Sequence, residues 1–249
     1  MNEPVFIYVL LVGLSILGII KNSISFNPMY FHCDNYILST YLYFILSWAI
    51  ALSTVTGLSY YNVTLQKLFT KPFTILLFIS SLLLMVGLMM MPMKMFFTKH
   101  LIYIAEIVLL GITLYPLYLR SREKFNHVGL TTLSVLVVLS ILAYMKPNLI
   151  DDNIIVYLVI GLLALLFGRL VEVFLLDQKD PKTHKYSRII SYISILLFSL
   201  FIMYDTKSII RNAKNCKVSA FGPDYINESI NLFLDSLNLF SSTYHVQND

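Results

Sequence analysis

Long apolar runs separated by short polar segments make up most of this chain. Seven runs precede residue 211, and they are Val5–Ile20, Ile37–Ser59, Phe73–Met91, His100–Leu119, Val128–Met145, Ile154–Leu176 and Arg188–Ile210. A helix needs about 20 mostly apolar residues to cross the hydrocarbon core of a bilayer. Each run therefore predicts a spanning helix, the first being at the short end of the range, and the polar segments predict the loops.

The first run lacks the features of a cleavable signal peptide. Glu3 is the only charged residue before it, no small-residue cleavage site follows, and Lys21-Asn22-Ser23 comes directly after. A signal peptide begins instead with a positively charged segment. We therefore expect Val5–Ile20 to be retained as a helix, followed by a polar, irregular connector over residues 21–35.

Beyond the last apolar run, polar residues recur at helical spacing. They are Asp224, Glu228, Asn231, Asp235, Asn238 and Ser242. Spacings of three and four residues place them in one stripe of a helix whose other positions are mostly apolar. An amphipathic helix on the membrane surface is one explanation, but its polar face is normally rich in Lys and Arg. The acidic and amide-rich stripe favours a helix that lines a cavity.

Two more acids, Asp205 and Glu106, lie within apolar runs. An acid at the centre of a spanning helix costs about 2.5–3.5 kcal/mol on insertion scales. Such residues usually face a protein interior or a water-filled cavity, and they are candidates for function. The sequence therefore predicts that the C-terminal helix carries Asp235 opposite Asp205.

Composition supports a membrane protein. The 249 residues are 57% hydrophobic and 13% charged, whereas an ordinary soluble domain is about 25% charged. The net charge of +4 is spread over short loops, and no basic block suggests binding to nucleic acid. We expect an integral, multi-pass membrane protein surrounded by the lipid bilayer.

The chain shows no pattern typical of a cofactor or metal site. Cys33 and Cys216 lie far apart in different loops, so they support neither a disulfide framework nor a metal site, and each is expected to be a lone surface thiol. There is no Ser/His/Asp set, no Gly-rich phosphate loop and no metal-spaced histidine cluster. We therefore expect no catalytic residue and no cofactor.

The C-terminal motifs resemble the transmembrane Bax inhibitor motif family. The resemblance is carried by Tyr204-Asp205-Thr206, Asp224-Tyr225, Leu232-Phe233-Leu234-Asp235 and Asn238-Leu239-Phe240. It implies an all-α, polytopic membrane helix bundle with six core transmembrane helices around a C-terminal re-entrant helix, to which Val5–Ile20 adds one extra N-terminal helix. The expected division is 1–36 for the extra helix and connector, 37–242 for the Bax-inhibitor-like bundle and 243–249 for a short tail.

The resemblance also implies a function, a pH-sensitive calcium leak channel that modulates intracellular Ca²⁺ and suppresses cell death. The aspartates matching Asp205 and Asp235 form a proton-sensing pair in that family, and they are the candidate Ca²⁺ ligands here. Glu106 falls where the third core helix of the family carries a buried glutamate. Supporting polar residues are expected at Asp224, Glu228, Asn231 and Asn238. The implied partners are Ca²⁺, H⁺ and cell-death regulator proteins, in the endoplasmic reticulum or another endomembrane.

Two other functions remain open. A membrane interaction or scaffold protein could keep this fold without conducting ions, because Ile37–Met91 lacks the arginine that some family members pair with the first aspartate. An intramembrane aspartyl protease also places aspartates on two consecutive helices, but its second aspartate lies in Gly-x-Gly-Asp. Leu232-Phe233-Leu234-Asp235 has no glycine, so a substrate backbone could not approach closely. We therefore expect that the protein is not an enzyme.

Charge says little about orientation in the membrane. If the family topology holds, the cytosolic face carries Lys94, Lys99, Arg211, Lys214 and Lys217. The loops assigned to the other face carry a similar number of Lys and Arg residues, so the positive-inside rule decides little. The loop expected to be luminal contains the glycosylation sequence Asn62-Val63-Thr64.

Overall fold

The computed structural model describes residues 3–26, 29–65, 70–176, 180–216 and 223–248. The long helices in these ranges are α1 Glu3–Ser23, α2 Tyr36–Tyr60, α3 Lys71–Met90, α4 Phe96–Arg120, α5 Arg122–Met145, α6 Ile154–Leu175, α7 Pro181–Asn215 and α8 Tyr225–Asn248. A 3₁₀ turn, Pro147–Leu149, lies between α5 and α6. The predicted all-α fold is confirmed.

Seven of the described helices are long and apolar enough to cross a membrane. The candidate spans are Val5–Ser23, Tyr36–Tyr60, Pro72–Met90, Phe96–Arg120, Arg122–Met145, Ile154–Glu172 and Lys182–Asn215. They match the seven apolar runs of the sequence in order, which confirms the prediction of a polytopic bundle. The C-terminal helix α8 is outside this set, because its polar stripe interrupts the apolar positions.

The connector after α1 contains a short antiparallel hairpin, β1 Ile24–Phe26 and β2 Met29–Phe31, with Ser25 paired to Tyr30. The sequence predicted an irregular connector here, and this expectation was wrong for these residues. Aromatic and β-branched residues favour extended backbone, and strand pairing satisfies the backbone groups that an irregular segment would leave open.

The chain divides into two compact units. Unit 1 comprises Met1–Arg122 and Arg211–Ile230, and unit 2 comprises Glu123–Ile210 and Asn231–Asp249. Helices α7 and α8 contribute to both units. The division into 1–36, 37–242 and 243–249 stays a prediction, although α8 continues through most of the residues expected to form a tail.

In unit 1, α1 packs directly on α2. The hydroxyl of Ser23 donates to that of Ser39 at 2.7 Å. A Cβ built at Gly18 would lie 3.1 Å from Leu42, so the two helices approach closely at this glycine. Helix α1 is thus an integral part of unit 1.

Helices α2 and α4 approach each other closely at Gly111. A Cβ at this position would lie 2.9 Å from the carbonyl oxygen of Ala51 and 3.0 Å from Cβ of Thr54. The obstacle is backbone, which cannot rotate away as a side chain can. Close helix packing of this kind depends on small residues in membrane proteins.

Gly111→Ala should destabilise the protein by up to about 2 kcal/mol. Overpacking costs about 1–3 kcal/mol, and the higher helix propensity of alanine offsets about 1 kcal/mol of that cost. Gly87→Ala is the matched control, because a Cβ there meets no atom within 4 Å. Thermal unfolding in detergent should show a lower Tm for Gly111→Ala and an equal or higher Tm for Gly87→Ala. Equal Tm values for the two variants would contradict the tight contact.

The cysteines in unit 1 correct an expectation from the sequence. Cys33 and Cys216 form a disulfide, with their Cα atoms 5.8 Å apart and 183 residues between them in the sequence. The prediction of two lone surface thiols was therefore wrong. Sequence distance gives no information on which loops meet in space, and only the packing of the helices brings these two together.

In unit 2, α7 packs between α6 and α8. A Cβ at Gly161 on α6 would lie 2.9 Å from the Leu197 side chain on α7. On the α8 side, the hydroxyl oxygens of Ser194 and Ser242 are 2.6 Å apart. These contacts fix the face that α7 presents to α8.

Candidate functional site

Asp205 on α7 and Asp235 on α8 are neighbours in unit 2. Asp235 is only 9% exposed, and Asp205 is half-buried. The charge of Asp205 acts on the Asp235 carboxyl, and Oδ2 of Asp235 is buried without a hydrogen-bond partner. Because ionised carboxylates only accept hydrogen bonds, a hydrogen bond between the two acids requires a proton.

Burial raises the pKa of the Asp235 carboxyl well above its usual range, and the neighbouring Asp205 raises it further. Asp235 lies on α8, outside the candidate membrane spans. Two acids in such close contact titrate as a unit, so the raised pKa belongs to the pair. The proton is held at low pH and released as pH rises through this pKa.

The helix segment around Asp205 is held firmly within unit 2. Ile202 and Ile209, on either side of Asp205 along α7, are completely buried. The hydroxyl of Thr206 donates to that of Ser140 on α5 at 3.3 Å. Asp205 therefore projects from a segment that is anchored to the remainder of unit 2.

Lys207 adds a second anchor that the sequence analysis missed. Its ammonium donates to the Ile150 carbonyl at 2.7 Å and pairs with Asp152 at 2.9 Å. These bonds tie α7 to the loop between α5 and α6. The sequence offered a signal in Lys207, two residues after Asp205, and in the acidic loop residues Asp151-Asp152. It did not show that the lysine and the loop meet.

The amides of the stripe nearest Asp235 are exposed. Asn231 and Asn238 lie about one helical turn before and after Asp235, and both are accessible. The Asn238 amide donates to the Leu234 carbonyl at 2.8 Å. On the opposite face of this segment, Phe233 and Phe240 are almost completely buried. Helix α8 thus presents an accessible polar strip beside the buried carboxyl.

Asp224, the first residue of the predicted stripe, has a structural role at the start of α8. Its Oδ1 accepts from the backbone N–H of Asn227 at 3.2 Å, as an N-cap does. Its Oδ2 accepts from the ammonium of Lys99 at 2.6 Å. Lys99 is fully buried and donates also to the Met91 carbonyl at 2.8 Å. This ion pair fastens the first turn of α8 to α4 within unit 1.

Glu228 lies in unit 1, where the Asn212 amide donates to its Oε1. Burial raises the pKa of Glu228, and the charge of Asp224 adds to this increase, whereas the Asn212 hydrogen bond and the Arg211 charge lower it. Glu228 therefore belongs to a separate acid–amide contact between α7 and α8.

Glu106 is fully buried on α4 in unit 1. The Ser81 hydroxyl of α3 donates to its Oε1 at 2.7 Å, and its Oε2 has no hydrogen-bond partner. The structure thus assigns Glu106 to the α3–α4 contact.

Among the described residues, no group of three or more His, Cys, Asp or Glu side chains is placed to hold a metal ion. Ca²⁺ takes six to eight oxygen ligands. Asp205 and Asp235 alone would leave most of these positions to water or to other oxygens. Their assignment as Ca²⁺ ligands stays a prediction.

Comparison with known families agrees with the resemblance found in the C-terminal motifs. The family described as "Inhibitor of apoptosis-promoting Bax1" matches residues 33–246. The match begins three residues before α2 and ends within α8, so α1 precedes it. A search of curated proteins returned no match. Since the family match covers most of the sequence, the chain belongs to the Bax inhibitor family.

Proposed function

We propose that this integral, multi-pass membrane protein is a pH-sensitive calcium leak channel gated by Asp205 and Asp235. The observation that carries the proposal is the buried Asp235 carboxyl, which lies beside a second acid and has one oxygen without a hydrogen-bond partner. Two acids placed together in this way are costly for stability, and such groups in membrane proteins commonly serve function. We place the protein in the endoplasmic reticulum or another endomembrane, where a leak would modulate intracellular Ca²⁺ and restrain cell death.

The gate works through one proton. At low pH the proton joins the two carboxyls and holds α8 against α7. When it leaves, two negative charges face each other in a poorly solvated site, and their repulsion favours separation of the helices. Since the pKa of Asp235 is raised, the stability of the closed pair is present at low pH and is lost as pH rises through that pKa.

The path of the ion follows the accessible strip of α8. Asn231 and Asn238 flank Asp235 on the exposed side, and their amide oxygens are hard donors of the kind that Ca²⁺ prefers. Once ionised, the pair adds negative charge to this strip and attracts cations. Protons and Ca²⁺ then compete for the same carboxylates, which links flux to pH.

Purified protein in liposomes should pass Ca²⁺ at a rate that rises with pH between about pH 5 and about pH 8. Below the midpoint the ionised fraction of an acid changes about tenfold per pH unit, and the flux should follow it. An entrapped fluorescent Ca²⁺ indicator measures the rate. Absence of flux at every pH would contradict the proposal and favour a non-conducting scaffold protein with the same fold. No enzymatic step is proposed, since the Bax inhibitor family is generally not enzymatic.

A further inference from the structure

Residues on both sides of Cys33, which forms the disulfide with Cys216, contact the first residue of α8. The hydroxyl of Tyr225 donates to the backbone carbonyl of His32, the residue before Cys33. The ring of Tyr225 also meets that of Tyr36 edge to face, with centroids 5.0 Å apart. Tyr225 is completely buried. The connector and the first residue of α2 thus hold the start of α8 by non-covalent contacts on both sides of Cys33.

We propose that this disulfide is a redox-dependent lock on the N-terminal turn of α8, and that the membrane face that carries it meets an oxidising compartment. The bond joins the connector to Cys216 at the end of α7. The residues beside Cys33 that contact Tyr225 are therefore held covalently to the residue that follows α7. The proposal concerns the helix and its compartment, and it does not depend on ion flux.

The two sulfur atoms differ in access. Cys33 is half-buried, whereas Cys216 is 4% exposed. A dithiol reductant therefore attacks the Cys33 sulfur as a thiolate and releases the Cys216 thiolate, which takes up a proton. The second thiol of the reductant resolves the mixed disulfide. The protein gains two electrons and two protons as two thiols, and the reductant becomes a disulfide.

Opening the bond should loosen the turn without unfolding unit 1, because other contacts remain. The Lys99–Asp224 ion pair at 2.6 Å holds the cap of α8. The Asn227 amide also donates to the Met89 carbonyl at 3.4 Å. The expected change is thus confined to the first turns of α8.

The compartment follows from redox chemistry. Cytosolic thiols are kept reduced, whereas the lumen of the secretory pathway and the cell exterior allow disulfides to persist. Cys33 precedes the α2 span and Asn62 follows it, so the two lie on opposite faces of the membrane. An oxidising compartment at Cys33 places Asn62 in the cytosol, the reverse of the orientation that the family resemblance implied.

Hydrogen–deuterium exchange of the purified protein tests the lock. Addition of dithiothreitol should speed amide exchange over residues 228–230 about tenfold, with no change in α6. Cys33→Ser/Cys216→Ser should show the fast rate with or without the reductant. Tyr225→Phe loses only the hydrogen bond to His32, so it should still respond to dithiothreitol. Equal exchange in the oxidised and reduced protein would overturn the lock.

Thiol labelling in cells tests the compartment. Cells are lysed in denaturant with N-ethylmaleimide, and the protein is then reduced and treated with a polyethylene glycol maleimide. The parent protein should carry two polyethylene glycol groups per chain after reduction and none without it. Cys33→Ser should carry none in either case, because N-ethylmaleimide blocks its single thiol first. Thiols already blocked in the parent protein, or glycosylation at Asn62, would overturn the assignment of an oxidising compartment.

Discussion

The double variant Asp205→Asn/Asp235→Asn should lose the pH dependence of Ca²⁺ flux between about pH 5 and about pH 8. Asparagine keeps the size of aspartate and can still form a hydrogen bond across the pair, but it does not titrate. The pair then stays in the neutral, closed arrangement at every pH. The flux at the upper end of the range should fall to the low level that the parent shows in acid.

The single variants separate the two acids. Asp235→Asn removes the more buried acid, which has the raised pKa, so most of the pH response should be lost in this variant. Asp151→Asn is the control, because it neutralises an exposed acid of unit 2 outside the pair and should leave the profile unchanged. If the double variant kept the pH profile of the parent, the carboxylate gate would be wrong.

Lys99→Met should destabilise the protein by about 2–3 kcal/mol. Removing one partner of a buried ion pair costs about 3–5 kcal/mol, because the other charge is left without compensation. Lys99 is fully buried, but its partner Asp224 is 33% exposed, so water offsets part of the loss. The Met91 carbonyl also loses its hydrogen bond from the ammonium. Thermal unfolding in detergent should therefore show a clearly lower Tm.

A double-mutant cycle isolates the ion pair in this result. Lys99→Met/Asp224→Asn should recover much of the stability, since asparagine still caps α8 and carries no charge. Lys94→Met changes an exposed lysine of the same loop region and should alter stability by less than about 0.5 kcal/mol. Additive effects of the two single variants would show that the pair does not stabilise α8.

The membrane spans could be predicted from the sequence because their cause is local. A run of about 20 apolar residues must lie in the hydrocarbon core and satisfies its backbone hydrogen bonds as a helix. The polar stripe of α8 likewise predicted one helix with two unlike faces. The structure of the connector could not be predicted in this way, because a hairpin of two three-residue strands is too short to show a periodic pattern.

The sequence did not predict the partners of individual polar residues. Spacing along a helix shows that Asp224, Glu228 and Asp235 share a face, but their partners lie on other helices. Asp224 meets Lys99, Glu228 meets Asn212, and Asp235 meets Asp205. One stripe therefore contains a cap, an acid–amide contact and a carboxyl pair.

By itself, the sequence determined that this is a polytopic helical membrane protein, and its C-terminal motifs pointed to the Bax inhibitor family. Only the tertiary structure decided that Cys33 joins Cys216, that Lys207 anchors the Asp205 segment and that the stripe serves several purposes. An apolar run and a helical spacing are both properties of a short stretch of sequence, so spans and helix faces can be predicted from that stretch alone. Disulfides and ion pairs join distant residues, and these contacts exist only after the helices have packed.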